Sequence, residues 1–389
     1  MENSQVKHSS RILLSQSALK KNIHFLQKKV SSTARLSCVV KANAYGHGIQ
    51  EIVPMLEKCG IQHFSVASAF EAEEVLAVKR PSSDVMIMGI LYEDNLEWAI
   101  KNEIEFYVFN YPRLAQALAA AKKLDKPARL HLEVETGANR TGLKRSEFAK
   151  AIEFLKRHKN NLVFEGFCSH FGGAESLSNQ FKIEKQHKRF KAFLSELKKK
   201  KYMPKYRHIA SSAAALAYPD THYDMVRIGV STYGFWPSPD IYYMHLEAEG
   251  KVKDNPMQRI FTWKTDVMDV RDVAPGEFIG YGTVFQAEQP MQIAVLPLGY
   301  SNGYPRALSN RGHVLIHGKK APICGLINMN LFMVDISQIP DVQVGDEVVL
   351  IGRQKNTVIN IGSFTNFTNL LNNEMLSRLP AAIPRVPVK

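Results

Sequence analysis

Val39-Val40-Lys41-Ala42-Asn43-Ala44-Tyr45-Gly46-His47-Gly48 is the stretch on which the reading of the chain turns, because an apolar run from Leu36 ends on a lysine and then breaks into a glycine-bounded turn. Residues 37–40 read as a short buried strand, β-branched at its end. A lysine closing such a strand sits where barrel and α/β folds place reactive groups. A buried ammonium is costly unless it loses its proton or is covalently engaged, so Lys41 is a candidate Schiff-base lysine. Position alone favours the plainer alternative, a strand-end lysine that snorkels to solvent.

Outward from Lys41, short apolar strands alternate with amphipathic helices. Strands are expected at 37–40, 63–67, 85–88, 105–108, 128–134, 163–168, 206–210 and 224–228, with helical patterns between them, among them 49–58, 69–78, 112–123 and 147–158. Eight strands separated by helices are the grammar of an α/β (β/α)8 TIM barrel. Beyond Gly234 the grammar changes: Pro237 and Pro239 open a connection, and strand-like runs follow at 261–270, 292–296, 313–316, 332–336 and 347–351. The expected organisation is a barrel over 1–245 and a mostly β domain over 246–389.

Composition narrows the function classes. The 389 residues are 45% hydrophobic, enough for a large core, and no run approaches the roughly 18 apolar residues of a membrane helix. The opening MENSQVKHSS has no apolar region of signal-peptide length, so no export signal is read and a cytoplasmic protein is expected. Cys38, Cys59, Cys168 and Cys324 are scattered, with neither metal-ligand spacing nor a disulfide framework. The net charge of +13 is compatible with anionic cofactors and substrates, but Lys198-Lys199-Lys200-Lys201 closes a helix from Gln180, where the helix dipole favours cations. No nucleic-acid module accompanies it, so neither a nucleic-acid nor a membrane partner is expected.

The full string VVKANAYGHG resembles the pyridoxal-phosphate signature of the alanine racemase family, and the resemblance extends from about Ser10 to Arg385. It implies pyridoxal 5'-phosphate as cofactor, attached to Lys41, with Tyr45 on its phosphate. LHLEVETGANRTGL is similar to the family segment whose arginine meets the cofactor and the substrate carboxylate, which gives that role to Arg140. Relatives commonly carry a lysine, often carbamylated, where this chain has Glu133, so Glu133 is expected to orient Arg140 as a built-in carboxylate. HIASSAA and DMVRIGVSTYG resemble the family's phosphate loops, implying phosphate contacts from Ser211, Ser212, Gly229 and Val230. Arg227 matches the arginine facing the pyridine nitrogen, and His170 matches a supporting histidine. Read without the resemblance, Ser211 is a helix cap, Arg140 a surface turn residue and His170 a histidine satisfied by its strand neighbours.

The second domain supplies Pro275-Gly276-Glu277-Phe278-Ile279-Gly280-Tyr281-Gly282, which resembles the family's PGE…GYG. By itself Tyr281 is an exposed turn tyrosine. The resemblance makes it the second catalytic base, entering the partner subunit's site, and so implies a homodimer. Racemisation needs two such groups, one to remove the α-proton on one face and one to return a proton on the other. A phenol with a pKa of about 10 needs help to act as a base, and His170 with Arg227 is the expected relay. Met329 inherits a backbone contact to the substrate carboxylate. The chain departs from the family pattern at Asn302, Leu326, Asn330 and Ala381, which removes charge and aromatic bulk from the expected substrate corridor. The implied activity is interconversion of L- and D-alanine by an isomerase. The competitors are a racemase of broader range taking serine or larger amino acids, a fold-related decarboxylase and a non-catalytic protein handling the cofactor.

Overall fold

The structure, a computed structural model, describes residues 7–250, 255–368 and 370–389. They divide into two compact units, one formed by Ser17–Ala44 with Ile52–Arg259, the other by the segment through Gln16 with Tyr45–Glu51 and Ile260–Lys389. The units therefore interleave along the chain, whereas the sequence reading drew one cut after residue 245. Strand β1 (Ser10–Ser15) explains part of this: it pairs antiparallel with Phe261–Asp266 and parallel with Arg385–Val388, so the start of the chain lies in the sheet of the second unit.

The first unit is the expected barrel. Its strands are β2 (Arg35–Val39), β3 (His63–Val66), β4 (Asp84–Ile87), β5 (Glu105–Val108), β6 (Ala128–Glu133), β7 (Leu162–Cys168), β8 (Tyr206–His208) and β9 (Met225–Ile228). All pair parallel in the order β8-β7-β6-β5-β4-β3-β2-β9. The gap between β8 and β9 is bridged by backbone bonds from Asp224 N to Arg207 O at 3.1 Å and from Arg227 N to Ala210 O at 3.0 Å. In β6 the polar Arg129, His131 and Glu133 alternate with the fully buried Leu130 and Leu132, the two-residue period of a strand whose faces differ. Helices between the strands are set by local signals: Ser68 Oγ accepts from Glu71 N, and Asn110 Oδ1 accepts from Arg113 N ahead of a helix with Pro112 in its first turn. The connection after Gly234, which its prolines marked in the sequence, holds helix Pro239–Glu249, because Ser238 caps it and Pro239 fits the first helical position.

The second unit is a mostly β sheet. Besides β1 it contains β10 (Phe261–Asp266), β11 (Asp269–Val273), β12 (Met291–Leu296), β13 (His313–Ile316), β14 (Lys319–Cys324), β15 (Phe332–Asp335), β16 (Glu347–Gln354), β17 (Thr357–Ile359) and β18 (Arg385–Val388). The run expected at 261–270 breaks into β10 and β11. Strand β14, hidden in sequence by two lysines and a proline, pairs with β13 across His317-Gly318, both at positive φ as a tight right-twisting hairpin requires. Its core holds a cluster of Ile279, Ile293, Val295, Cys324 and Met333, and an aromatic group in which Tyr304 lies 4.7 Å from Phe332, 5.1 Å from Phe364 and 5.9 Å from Trp263.

Candidate active site

Lys41 stands just past the end of β2, and its side chain is exposed, while Val39 and Val40 behind it are buried. The desolvation penalty expected of a buried ammonium therefore does not arise. A different signal does. Ala42, Asn43, Ala44 and Tyr45 all have φ between 50° and 55°, a left-handed turn built from residues with a Cβ. Such geometry costs roughly 1–2 kcal/mol per residue and persists only where surroundings hold it. Part of the restraint is Glu71, whose carboxylate accepts from Ala42 N and Ala67 N, both at 2.7 Å; Ala44 N bonds Val40 O at 2.8 Å. Sequence reading missed this turn, because alanines carry no left-handed signal, and it missed Glu71.

The carboxyl ends of the other strands gather the remaining expected barrel residues. Glu133 ends β6 and is buried; burial raises its pKa, with Thr141 and Arg140 acting in the other direction, and its Oε2 has no hydrogen-bond partner among the described residues. Arg140 follows in an exposed loop. Ser211 precedes the short helix Ser212–Ala217, and Gly229 precedes the 3-10 turn Val230–Tyr233. The two starts are tied together by the bond from Gly229 N to Ser212 Oγ at 2.9 Å. Neither first turn can satisfy its own amides internally, so the junction offers N–H donors and helix-dipole charge of the kind that anions take.

Arg227, near the end of β9, is 4% exposed and tightly held. Its Nη2 donates to Ser169 O at 2.9 Å and to Ile209 O at 3.1 Å, and its Nη1 donates to His208 Nδ1. His170 Nδ1 lies 3.4 Å from the same Nη2. Burial, then the charges of Arg227, Arg140 and Lys41, push His170 down to about 3, so it is neutral at ordinary pH. At ordinary pH it is thus a hydrogen-bonding imidazole with a proton on one ring nitrogen only. Behind Arg227, His208, His131 and Glu105 continue as fully buried polar groups that sequence reading did not single out. The alternation of Arg129, His131 and Glu133 with leucines in β6 was the available sign that this barrel has a polar interior.

Tyr45, Tyr281 and Met329 belong to the second unit. Burial pushes Tyr45 up to about 12. Tyr281 sits in the 278–286 loop, closed by the bond from Ile279 N to Phe285 O at 3.0 Å, and is 74% exposed. Its neighbours Gly280 and Gly282 have φ of 74° and 77°, where a β-carbon is strained, so the glycines are what lets the loop present the phenol. Met329 is also exposed, and its carbonyl accepts from Ser301 N at 3.1 Å and Ser301 Oγ at 2.7 Å. Asn302 Oδ1 accepts from Gly299 N at 3.0 Å, and Asn330 Nδ2 donates to Ser301 Oγ at 2.8 Å, so these two departures keep the loops tied without a charge. A β-carbon on Gly282 would lie 3.4 Å from Leu326 Cδ1, which places Leu326 beside the Tyr281 loop.

A (β/α)8 barrel that collects a lysine on a strained turn, two arginines and two paired helix starts at the carboxyl ends of its strands has the form of a barrel enzyme. Two family models, described as the N-terminal and C-terminal domains of alanine racemase, match residues 14–237 and 260–387. Alanine racemase 1 of Clostridium acetobutylicum is 33% identical over 362 residues, 93% of this chain and 91% of its own length. Among solved structures, alanine racemase of Bacillus anthracis with bound L-Ala-P aligns at 25% identity and a TM-score of 0.87, covering 99% of this chain and 96% of that one. Alanine racemase of Bartonella henselae with covalently bound pyridoxal phosphate aligns at 26% identity and a TM-score of 0.82, covering 98% and 100%. The chain belongs to the alanine racemase family, whose members are isomerases.

Proposed function

We propose that the chain is a pyridoxal-phosphate-dependent racemase that interconverts L- and D-alanine as a homodimer. The single observation that carries this is family membership across both domains, with Lys41 on its strained turn in one and Tyr281 on its glycine-flanked loop in the other. The barrel's donors fit the cofactor. The tied starts at Ser212 and Gly229, with Ser211 and Val230 beside them, suit a phosphate. Among the described residues the side-chain bonds of Arg227 all start from its terminal nitrogens, which leaves its Nε–H as a donor suited to a ring nitrogen. When bound, the cofactor supplies an electron sink that makes the substrate's α-proton removable.

The chain's own residues do the rest. Arg227 cannot accept a proton, so a ring nitrogen facing it stays unprotonated and the sink is moderated, which favours returning the proton over side reactions. Arg140 and the backbone of Met329 hold the substrate carboxylate, and Glu133 orients Arg140. Lys41 Nζ holds or delivers the α-proton on one face, and Tyr281 of the partner subunit does so on the other. In Glu133→Gln, activity and cofactor affinity are expected to fall together; full retention of both would remove Glu133 from the site.

A wider substrate range is the second reading, favoured by the uncharged corridor positions Asn302, Leu326 and Asn330. Chiral chromatography of the cofactor-loaded protein with alanine, serine and lysine tests both. Conversion of alanine supports the main reading, added turnover of serine or lysine supports the wider range, and carbon dioxide release or no conversion of any amino acid overturns both.

A further inference from the structure

Arg227 is the end of a buried chain of hydrogen bonds that runs down the barrel interior. His208 Nε2 lies 2.8 Å from His131 Nδ1, and His131 Nε2 lies 2.7 Å from Glu105 Oε2. All three side chains are fully buried. Glu105 Oε2 also meets His63 Nε2 at 3.1 Å, a side branch whose Nδ1 takes the Ser37 hydroxyl at 2.8 Å. The other oxygen, Oε1, takes Arg129 Nη2 at 2.5 Å.

The donors and acceptors in this chain can be assigned in one way only. An arginine donates and never accepts, so His208 meets Arg227 with the Nδ1 lone pair and carries its proton on Nε2. That proton points at His131 Nδ1, which must accept, so His131 also carries its proton on Nε2. The last proton points at Glu105, which can only accept while ionised. Burial pushes Glu105 up, but His63, then His131, hold it well below the usual carboxylate range, and burial keeps His208 neutral. Neutralising Arg129 does not by itself require Glu105, because Arg129 also pairs with Asp84 at 2.9 Å and Glu165 at 3.1 Å. What only Glu105 supplies is the acceptor that starts the histidine chain.

We infer that Glu105 is a positioning residue for Arg227: its carboxylate sets the tautomers of His131 and His208, and through them the lone pair that holds the guanidinium. The functional consequence rests on Arg227 facing the cofactor's ring nitrogen as proposed above. Glu105→Gln makes the dependence visible. Arg129 demands the amide oxygen, so the amide NH2 faces His63 and His131. His131 must then accept at Nε2 and protonate Nδ1, His208 must accept at Nε2 and protonate Nδ1, and an N–H is left facing the Arg227 N–H.

The test is 15N NMR of the histidine side chains in the full-length protein labelled at histidine, together with titration of pyridoxal phosphate followed by its absorbance. The unsubstituted protein is expected to carry the His131 and His208 protons on Nε2. Glu105→Gln is expected to move both to Nδ1 and weaken pyridoxal phosphate binding by about tenfold or more, while His63→Gln, off the path, leaves both tautomers unchanged. An Nδ1 proton on either histidine in the unsubstituted protein overturns the inference even if Glu105→Gln fails to fold. So do tautomers that ignore Glu105→Gln, or that follow His63→Gln equally. Tautomers that move in Glu105→Gln without any change in cofactor affinity or absorbance uphold the chain from Glu105 and overturn the reading of Arg227.

Discussion

The interior of the barrel unit and the interior of the β unit are built by opposite rules. The barrel centre buries Glu105, His131, His208 and Arg227 and binds them into one directed hydrogen-bonded chain. The β unit packs Trp263, Phe332 and Phe364 around Tyr304 and leaves Trp263 Nε1 and the Tyr304 hydroxyl without hydrogen-bond partners among the described residues. A polar interior costs desolvation and is kept where orientation matters, whereas an apolar one supplies stability without directing anything. The barrel thus holds an aligned polar chain, and the β unit is an apolar mount on which Tyr281 is exposed.

If that contrast is right, substitutions in the two regions fail differently. The largest effect is expected at the barrel rim: Lys41→Ala removes the proposed cofactor anchor and one of the two proposed bases together, so racemisation is expected to fall by more than the about 10²–10⁴ that one general base supplies, with loss of the protein-bound cofactor absorbance. A retained band and rate would break the comparison at its strongest point. In the β unit, Phe364→Ala opens a hole at a side chain only 1% exposed, and a loss of about 3–5 kcal/mol is expected in urea unfolding. The folded fraction should keep its specific activity. A specific loss of catalysis would show that this core directs chemistry after all.

The third prediction sharpens the contrast by pH. His170, lowered from 6.5 to about 3 in the folded protein, binds its proton more readily when unfolded. Its contribution is therefore fully present above the unfolded pKa of about 6.5 and is lost as pH falls from there towards 3. His63 and His208, lowered chiefly by burial, act in the same direction. Stability measured against pH should drop on the acid side, and His170→Asn should flatten that drop. An unchanged slope would remove His170 from the half-buried, cation-flanked setting.

Much of this was legible in the sequence, for reasons that also mark where it stopped. The barrel strands were readable because each is short, apolar and bounded by helix signals; β3, read at 63–67, is His63–Val66. Strand β14 was not, since Lys319, Lys320 and Pro322 mask it and only its hairpin with β13 makes it a strand. Lys41 is conspicuous through its sequence neighbours and not as a buried ammonium: its side chain is exposed, and the anomaly is the left-handed backbone after it. Glu71 and Glu105 escaped notice because their roles arise from partners distant in sequence. Glu71 reaches back to Ala42, and Glu105 on β5 reaches His131 on the adjacent β6 and His63 on β3, two strands away.

The proposed pairing of Lys41 with Tyr281 across two faces of the substrate is open to one decisive measurement, exchange of the α-hydrogen in deuterium oxide, followed by NMR and chiral chromatography for L- and D-alanine separately. With Tyr281→Phe, cofactor binding should persist and one enantiomer should still exchange its α-hydrogen through Lys41, while conversion between enantiomers falls by about 10²–10⁴. Conversion at the unsubstituted rate, or loss of exchange from both enantiomers alike, would contradict a two-base mechanism.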